Sequence, residues 1–107
     1  MADTILAQVF SIGDLVEYQP GSIVSRILLK SASGNVTLFA FDQGQELSEH
    51  TTPFDALVQV LDGEVLIHIS KKPFHLKMGE AIIMPANQPH ALSATKPFKM
   101  LLTMMKE

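Results

Sequence analysis

The groups able to do acid–base or metal chemistry are four histidines and eleven Asp or Glu residues; there is no cysteine. Without thiols the chain has no disulfide, no thiolate metal site and no sulfur nucleophile. Imidazole remains, and it is a good ligand for Zn, Cu, Fe and Ni. Of the four histidines, His75 lies in Lys72-Pro-Phe-His-Leu-Lys77, among charges and turn residues, and is expected to face solvent. His68, between Ile67 and Ile69, reads as a satisfied or partly exposed strand residue. Asp55, Glu46 and Glu49 could serve as general bases, but their polar, loop-like surroundings suggest a solvated surface. No nucleophile elbow, phosphate loop or zinc-binding helix motif is present.

The elements that must position these groups are short. Gly, Pro, Asn and Asp punctuate the chain at Pro20-Gly21, Ser33-Gly34-Asn35, Asp42-Gln43-Gly44, Asp62-Gly63, Met78-Gly79 and Pro85 to Pro89. Between the breaks lie runs rich in branched and aromatic residues, too short for ordinary helices. The predicted strands are 23–30, 36–41, 56–61, 65–70, 81–84, 91–95 and 98–105. Asp62-Gly63 between two such runs carries the signature of a tight hairpin. One helical turn is expected at 11–16. In the last strand Phe98, Met100, Leu102 and Met104 share one face, and Lys99, Leu101, Thr103 and Met105 the other. Both faces are largely apolar, so one should line a core and the other meet a second layer or subunit.

At 107 residues the chain has room for one domain. Apolar residues make up 47% and charged residues 18%, against a typical charged share of about 25%. That balance excludes a disordered chain. A net charge of -3 with no basic block argues against nucleic acid or an anionic membrane as the main partner. The N-terminus lacks the pattern of a signal peptide, and no apolar run approaches the ~18 residues of a membrane helix. A cytoplasmic location is expected.

Two stretches then carry a family likeness. The first runs from Gly44 through His50, Thr52 and Ala56 to Gly63; the second from Gly79 through Pro85, Asn87 and His90 to Ala94. They resemble the two motifs of the cupins, with Gly44, His50, Gly63, Gly79, Pro85 and His90 matching in order and spacing. The resemblance implies an all-β fold, a double-stranded β-helix or jelly-roll barrel of two packed antiparallel sheets. It also implies one domain over 1–107 whose segment 1–20 lies outside the barrel core.

Metal-holding cupins use three His and one Glu, so the resemblance assigns His50 and His90 as the surviving metal ligands. Thr52 stands where the second His would be, and Ala56 where the Glu would be. Asn87 takes the place of a motif Gly, and Ala94 that of the closing Asn. Two imidazoles could hold a divalent ion (Zn, Ni, Fe, Cu or Mn) only weakly, because the compensating carboxylate is gone. His68 or Gln59 could add a donor, although Gln59 has the opposite strand parity to Ala56. The small Thr52 and Ala56 would enlarge an apolar pocket lined also by Val58, Met84, Leu92 and Met100, with Val60 and Met104 beside them.

Three functions stay open. The first is a barrel binding a small organic ligand or a weakly held metal. The second is a metal-dependent dioxygenase, isomerase or lyase using His50 and His90, and the third a structural or interaction barrel. The apolar excess, the small size and the two-sided strands also predict a homodimer, and the cupin resemblance implies N-terminal strands crossing between its subunits.

Overall fold

The computed structural model describes residues 5–106; residues 1–4 of the expected outlying segment, and Glu107, lie outside them. Among the described residues nine strands form: β1 (Ile23–Ser31), β2 (Gly34–Phe41), β3 (Glu46–His50), β4 (Asp55–Asp62), β5 (Glu64–Ile69), β6 (Lys72–Lys77), β7 (Ala81–Met84), β8 (His90–Ser93) and β9 (Phe98–Met105). They make two antiparallel sheets, a five-stranded one in the order β1-β2-β9-β4-β7 and a four-stranded one in the order β3-β8-β5-β6. The sheets pack face to face as a jelly roll, and among the described residues no ladder of hydrogen bonds closes them into a continuous cylinder. The seven predicted strands are all present, with ends displaced by no more than two residues. The expected helical turn is a short 3-10 turn, Ile12–Leu15.

β3 and β6 were not among the predicted strands. Both alternate polar residues with few apolar ones, and β6 carries a proline at its edge position, Pro73. Such strands give almost no periodic signal and form because a neighbour supplies hydrogen bonds.

The hairpin expected at Asp62-Gly63 is absent, because β4 and β5 belong to different sheets. Gly63 instead turns the chain from one sheet to the other at φ 75°, and a Cβ there would lie 1.8 Å from the Pro97 carbonyl oxygen. The tight hairpin sits one strand later, joining β5 to β6 through Ser70 and Lys71, both at positive φ (49° and 69°). That is the backbone of a type I′ turn built without Asn-Gly, which is why its sequence was silent.

Between the sheets lies the main core. Phe41 stacks on Phe98 at 4.6 Å, and Val58, Val60, Val65 and Ile67 are fully enclosed around them. On the outer face of the five-stranded sheet Leu38, Ala40 and Val16 form a second buried cluster under Ile12, Leu15 and Tyr18. Residues 12–18 lie on the outer face of the five-stranded sheet and cover it. Lys99 fastens this segment, donating to the Gly13 carbonyl at 2.6 Å with its ammonium 5.1 Å above the Tyr18 ring. The Tyr18 hydroxyl donates to Asp62 at 2.5 Å. Among the described residues no helix is long and apolar enough to cross a membrane.

Gly63→Ala should destabilise the fold by more than about 2 kcal/mol, since left-handed strain and a backbone clash act together. A urea midpoint unchanged from wild type would show that the corner tolerates a side chain.

Candidate functional site

β3 and β8 are antiparallel neighbours, and their register sets His50 directly opposite His90. Leu47 pairs with Leu92, so three steps along β3 match two along β8. This bulge matters because residues three apart in a regular strand face opposite ways. The extra residue turns His50 to the side already occupied by Leu47, and both line the same cavity. Asn87 helps shape the approach. It adopts φ 65°, which Asn tolerates better than most residues, and its N–H donates to the Thr52 carbonyl at 2.7 Å.

The two rings meet edge to face, with centroids 4.3 Å apart and Nε2 atoms separated by 3.1 Å. His50 Nδ1 lies 2.8 Å from the Ser48 carbonyl oxygen, and His90 Nδ1 3.3 Å from that of Gln88. A carbonyl only accepts, so a ring whose proton sits on Nδ1 donates to it, and the roles of the two Nε2 atoms follow from where the protons lie. The Nε2–Nε2 separation of 3.1 Å is a hydrogen bond when one of the two nitrogens carries a proton, and the pair can exchange that bond with a polar group at the cavity mouth. His50 stands exposed at the rim, while His90 is buried at 4% exposure. Burial, and secondarily the neighbouring His50, hold the His90 imidazole below its ordinary value of 6.5, against an opposing pull from the Gln88 carbonyl.

Behind the pair opens a cavity of about 310 Å³ between the sheets. Of the expected lining residues, Thr52, Ala56, Met84, Leu92, Met100 and Met104 are in its wall. Val58 and Val60 are not. They share Ala56's face of β4 but lie farther along it, enclosed in the core at 0% and 2% exposure. Three wall residues were missed: Phe39, Leu47 and Leu102. Leu102 shares a face with Met100 in the sequence pattern, and Phe39 pairs with Met100 across β2 and β9. Leu47 belongs to the strand that gave no signal.

The other candidate donors lie elsewhere. His68 alternates with buried Ile67 and Ile69 and so stands on the outer face of its sheet. Gln59, flanked by buried Val58 and Val60, faces outward as its parity required. His75 is exposed and pairs with Glu64 at 3.0 Å. Glu46 and Glu49 are exposed, the latter 3.5 Å from Lys71, and Asp55 accepts from the Ala86 N–H at 2.8 Å.

A resident divalent metal can now be tested against these donors. No carboxylate lines the cavity, and the Thr52 hydroxyl donates to the Phe54 carbonyl at 3.2 Å. Among the described residues no three His, Cys, Asp or Glu side chains are grouped to share an ion. Two neutral imidazoles alone do not fit a tightly held dication, which takes three or four protein ligands and compensating charge.

A two-sheet jelly roll whose first and second motif histidines converge at an interior cavity is the architecture of the cupin class. The cupin domain model matches residues 37–104, and the chain belongs to the cupin family. It is similar to the crystal structure of a conserved protein of unknown function from Streptococcus pyogenes, at 36% identity and TM-score 0.91, covering 94% of this chain and 89% of that one. A cupin 2 conserved barrel domain protein from Leptotrichia buccalis is 46% identical at TM-score 0.88; the match spans 91% of this chain and 47% of that one. A cupin superfamily protein from Desulfitobacterium hafniense is 26% identical at TM-score 0.90, over 94% and 93% of the two chains. A comparison with curated proteins found no match.

The depressed His90 value has a consequence for stability. The unfolded chain takes up a proton at an ordinary His value while the folded chain resists it. This contribution is therefore complete above about pH 6.5 and is lost as pH falls toward the folded value. Urea unfolding at pH 7.5 and 5.5 should show a loss of stability on acidification that is smaller in His90→Asn. An equal loss in both proteins would contradict the assignment.

Proposed function

We propose that the protein binds a small, largely apolar organic molecule in the cavity between its sheets, with one hydrogen-donating group of that molecule held between His50 and His90. One observation carries this reading: an apolar-walled space of about 310 Å³ with its polarity concentrated at the two converging imidazoles. Ligand sites commonly combine an apolar wall with a few placed polar groups. A hydroxyl or protonated acid entering at the rim would hydrogen-bond to the imidazole pair while its body displaced water from Leu92, Met100 and Leu102. A catalytic reading through a resident dication is less well supported, because the donors for one are missing.

Soaking the protein with panels of small phenols, enols and carboxylic acids should raise its melting temperature. At ligand concentrations a hundred times Kd the gain is about 2.7 kcal/mol, roughly 10 °C or more for a domain of this size. Ala56→Phe should fill the cavity and abolish the rise, and His50→Gln should weaken it while leaving the fold intact by circular dichroism. Equal responses in all three proteins would place binding elsewhere.

The homodimer belongs to the same proposal. β1 is an edge strand with Ile27 and Leu29 exposed, and Val9 and Phe10 beside it are exposed too, Val9 completely. Leu6, Val9, Phe10, Leu28 and Leu29 line an apolar groove of about 550 Å³. One chain thus presents an exposed apolar edge beside an apolar groove, which suits a two-fold interface between copies. An uncovered apolar edge of this length is otherwise an aggregation hazard. Sedimentation should give a dimer for the wild type and a monomer for Val9→Asp/Leu29→Asp. A wild-type monomer at tens of micromolar would end the idea.

A further inference from the structure

Three of the chain's six methionines, Met84, Met100 and Met104, line the cavity together with Phe39. Register places two of them. β4 pairs with β7 on one side and with β9 on the other, which sets Met84 and Met104 directly opposite Ala56. Directly opposed residues share a face of a sheet, so these three form one row, two thioether side chains with a bare methyl between them. Neighbouring strands lie about 4.8 Å apart, so the two methionines rise roughly that distance to either side of Ala56. The gap between them is one residue wide. Along the strand it is closed by Val58, the next residue on the same face and fully buried. His50 and His90 stand in the wall of the same cavity.

We infer that the cavity selects a single aromatic ring carrying one hydroxyl, a phenol or a benzylic alcohol. The ring stands edge-down on Ala56 between Met84 and Met104, with its hydroxyl turned to the imidazole pair. Shape argues first. An aromatic ring is a plate that fits a gap one residue wide, whereas a saturated ring of the same size puckers and carries hydrogens on both faces. The wall chemistry argues next. Thioether sulfur interacts favourably with an aromatic ring at about 5 Å, which is the spacing that the strand register supplies on either side of Ala56. Phe39 adds an aromatic neighbour, and ring pairs attract beyond their area burial. Volume agrees. An apolar cavity of about 150 Å³ is enough for benzene, and one of about 310 Å³ leaves room for the hydroxyl and a short substituent.

This names the ligand class of the organic-ligand reading and rests on it. The experiment is a calorimetric titration of the wild-type protein with benzyl alcohol and, in parallel, with cyclohexylmethanol. Both carry the same hydroxymethyl group on a six-membered carbon ring. Hydrophobic burial alone favours the saturated ligand, which has the larger apolar surface. Benzyl alcohol should nevertheless bind about tenfold more tightly. With isotope-labelled methionine methyl groups, its ring current should shift the NMR signals of Met84, Met100 and Met104. The signals of Met78 and Met105, both exposed and outside the cavity wall, should stay in place. Met78→Leu and Met105→Leu identify those two signals without altering the wall. Equal or tighter binding of cyclohexylmethanol would overturn the ring preference and leave the organic-ligand reading standing. Shifts at Met78 or Met105 in place of the cavity methyls would overturn the placement. No binding of either alcohol would also end the ring preference, and the broader panel of phenols, enols and acids then decides the organic-ligand reading by itself.

Discussion

The constraint on which this structure rests is that its five-stranded sheet must be covered on both faces. β2 and β9 are apolar on both sides: Phe39 and Phe41, with Met100 and Leu102, face the other sheet, while Leu38 and Ala40, with Leu101, face away. A one-sided jelly roll would leave that outer face in water. At roughly 25 cal/mol for each Å² of apolar surface removed from water, a few side chains of this size are worth several kcal/mol. The N-terminal segment supplies the cover, and Lys99 and Tyr18 fasten it in place. The inner face is thereby free to be specialised. It is densely packed around Phe41 and Phe98 at one end and left open around Ala56 at the other.

Much of this was legible because two-sided apolarity is a property of composition and alternation. The faces of β9 could be read directly, and so could the all-β class and most strand positions. The motif spacing brought His50 and His90 into consideration before any coordinates. What escaped was decided by neighbours. β3 alternates in no readable way because its bulge changes parity between Leu47 and His50, and β6 is stabilised by β5 more than by its own composition. The corner at Gly63 looked like a hairpin because Asp-Gly encodes a sharp turn but not which sheet the next strand joins. Val58 was assigned to the pocket on correct parity, yet parity fixes a face and not a depth along the strand.

The cavity itself asks for a physical explanation. Empty space in a core costs about 24 cal/mol per Å³, so 310 Å³ of sealed void would cost on the order of 7 kcal/mol, comparable to the entire stability of a small domain. Neighbouring side chains would be expected to collapse into it. Two features oppose collapse. The wall is made of strands held in ladders on both sides, with Ala56 pinned between Met84 and Met104 in register, so the backbone cannot close over the short side chain. The mouth is also open at exposed His50, so the space is in contact with solvent and is not a sealed void. Its cost is then the imperfect hydration of an apolar wall and not an absence of matter. Water in such a space finds hydrogen bonds only at the two Nε2 atoms, and it is readily displaced by anything that satisfies those atoms and also touches the wall. The methionines broaden the range of shapes the wall can meet, since their flexible thioethers can repack, while the imidazole pair is held by the Ser48 and Gln88 carbonyls. A rigid polar anchor in an adaptable apolar chamber is therefore what the loss of bulk and charge at Thr52 and Ala56 produces.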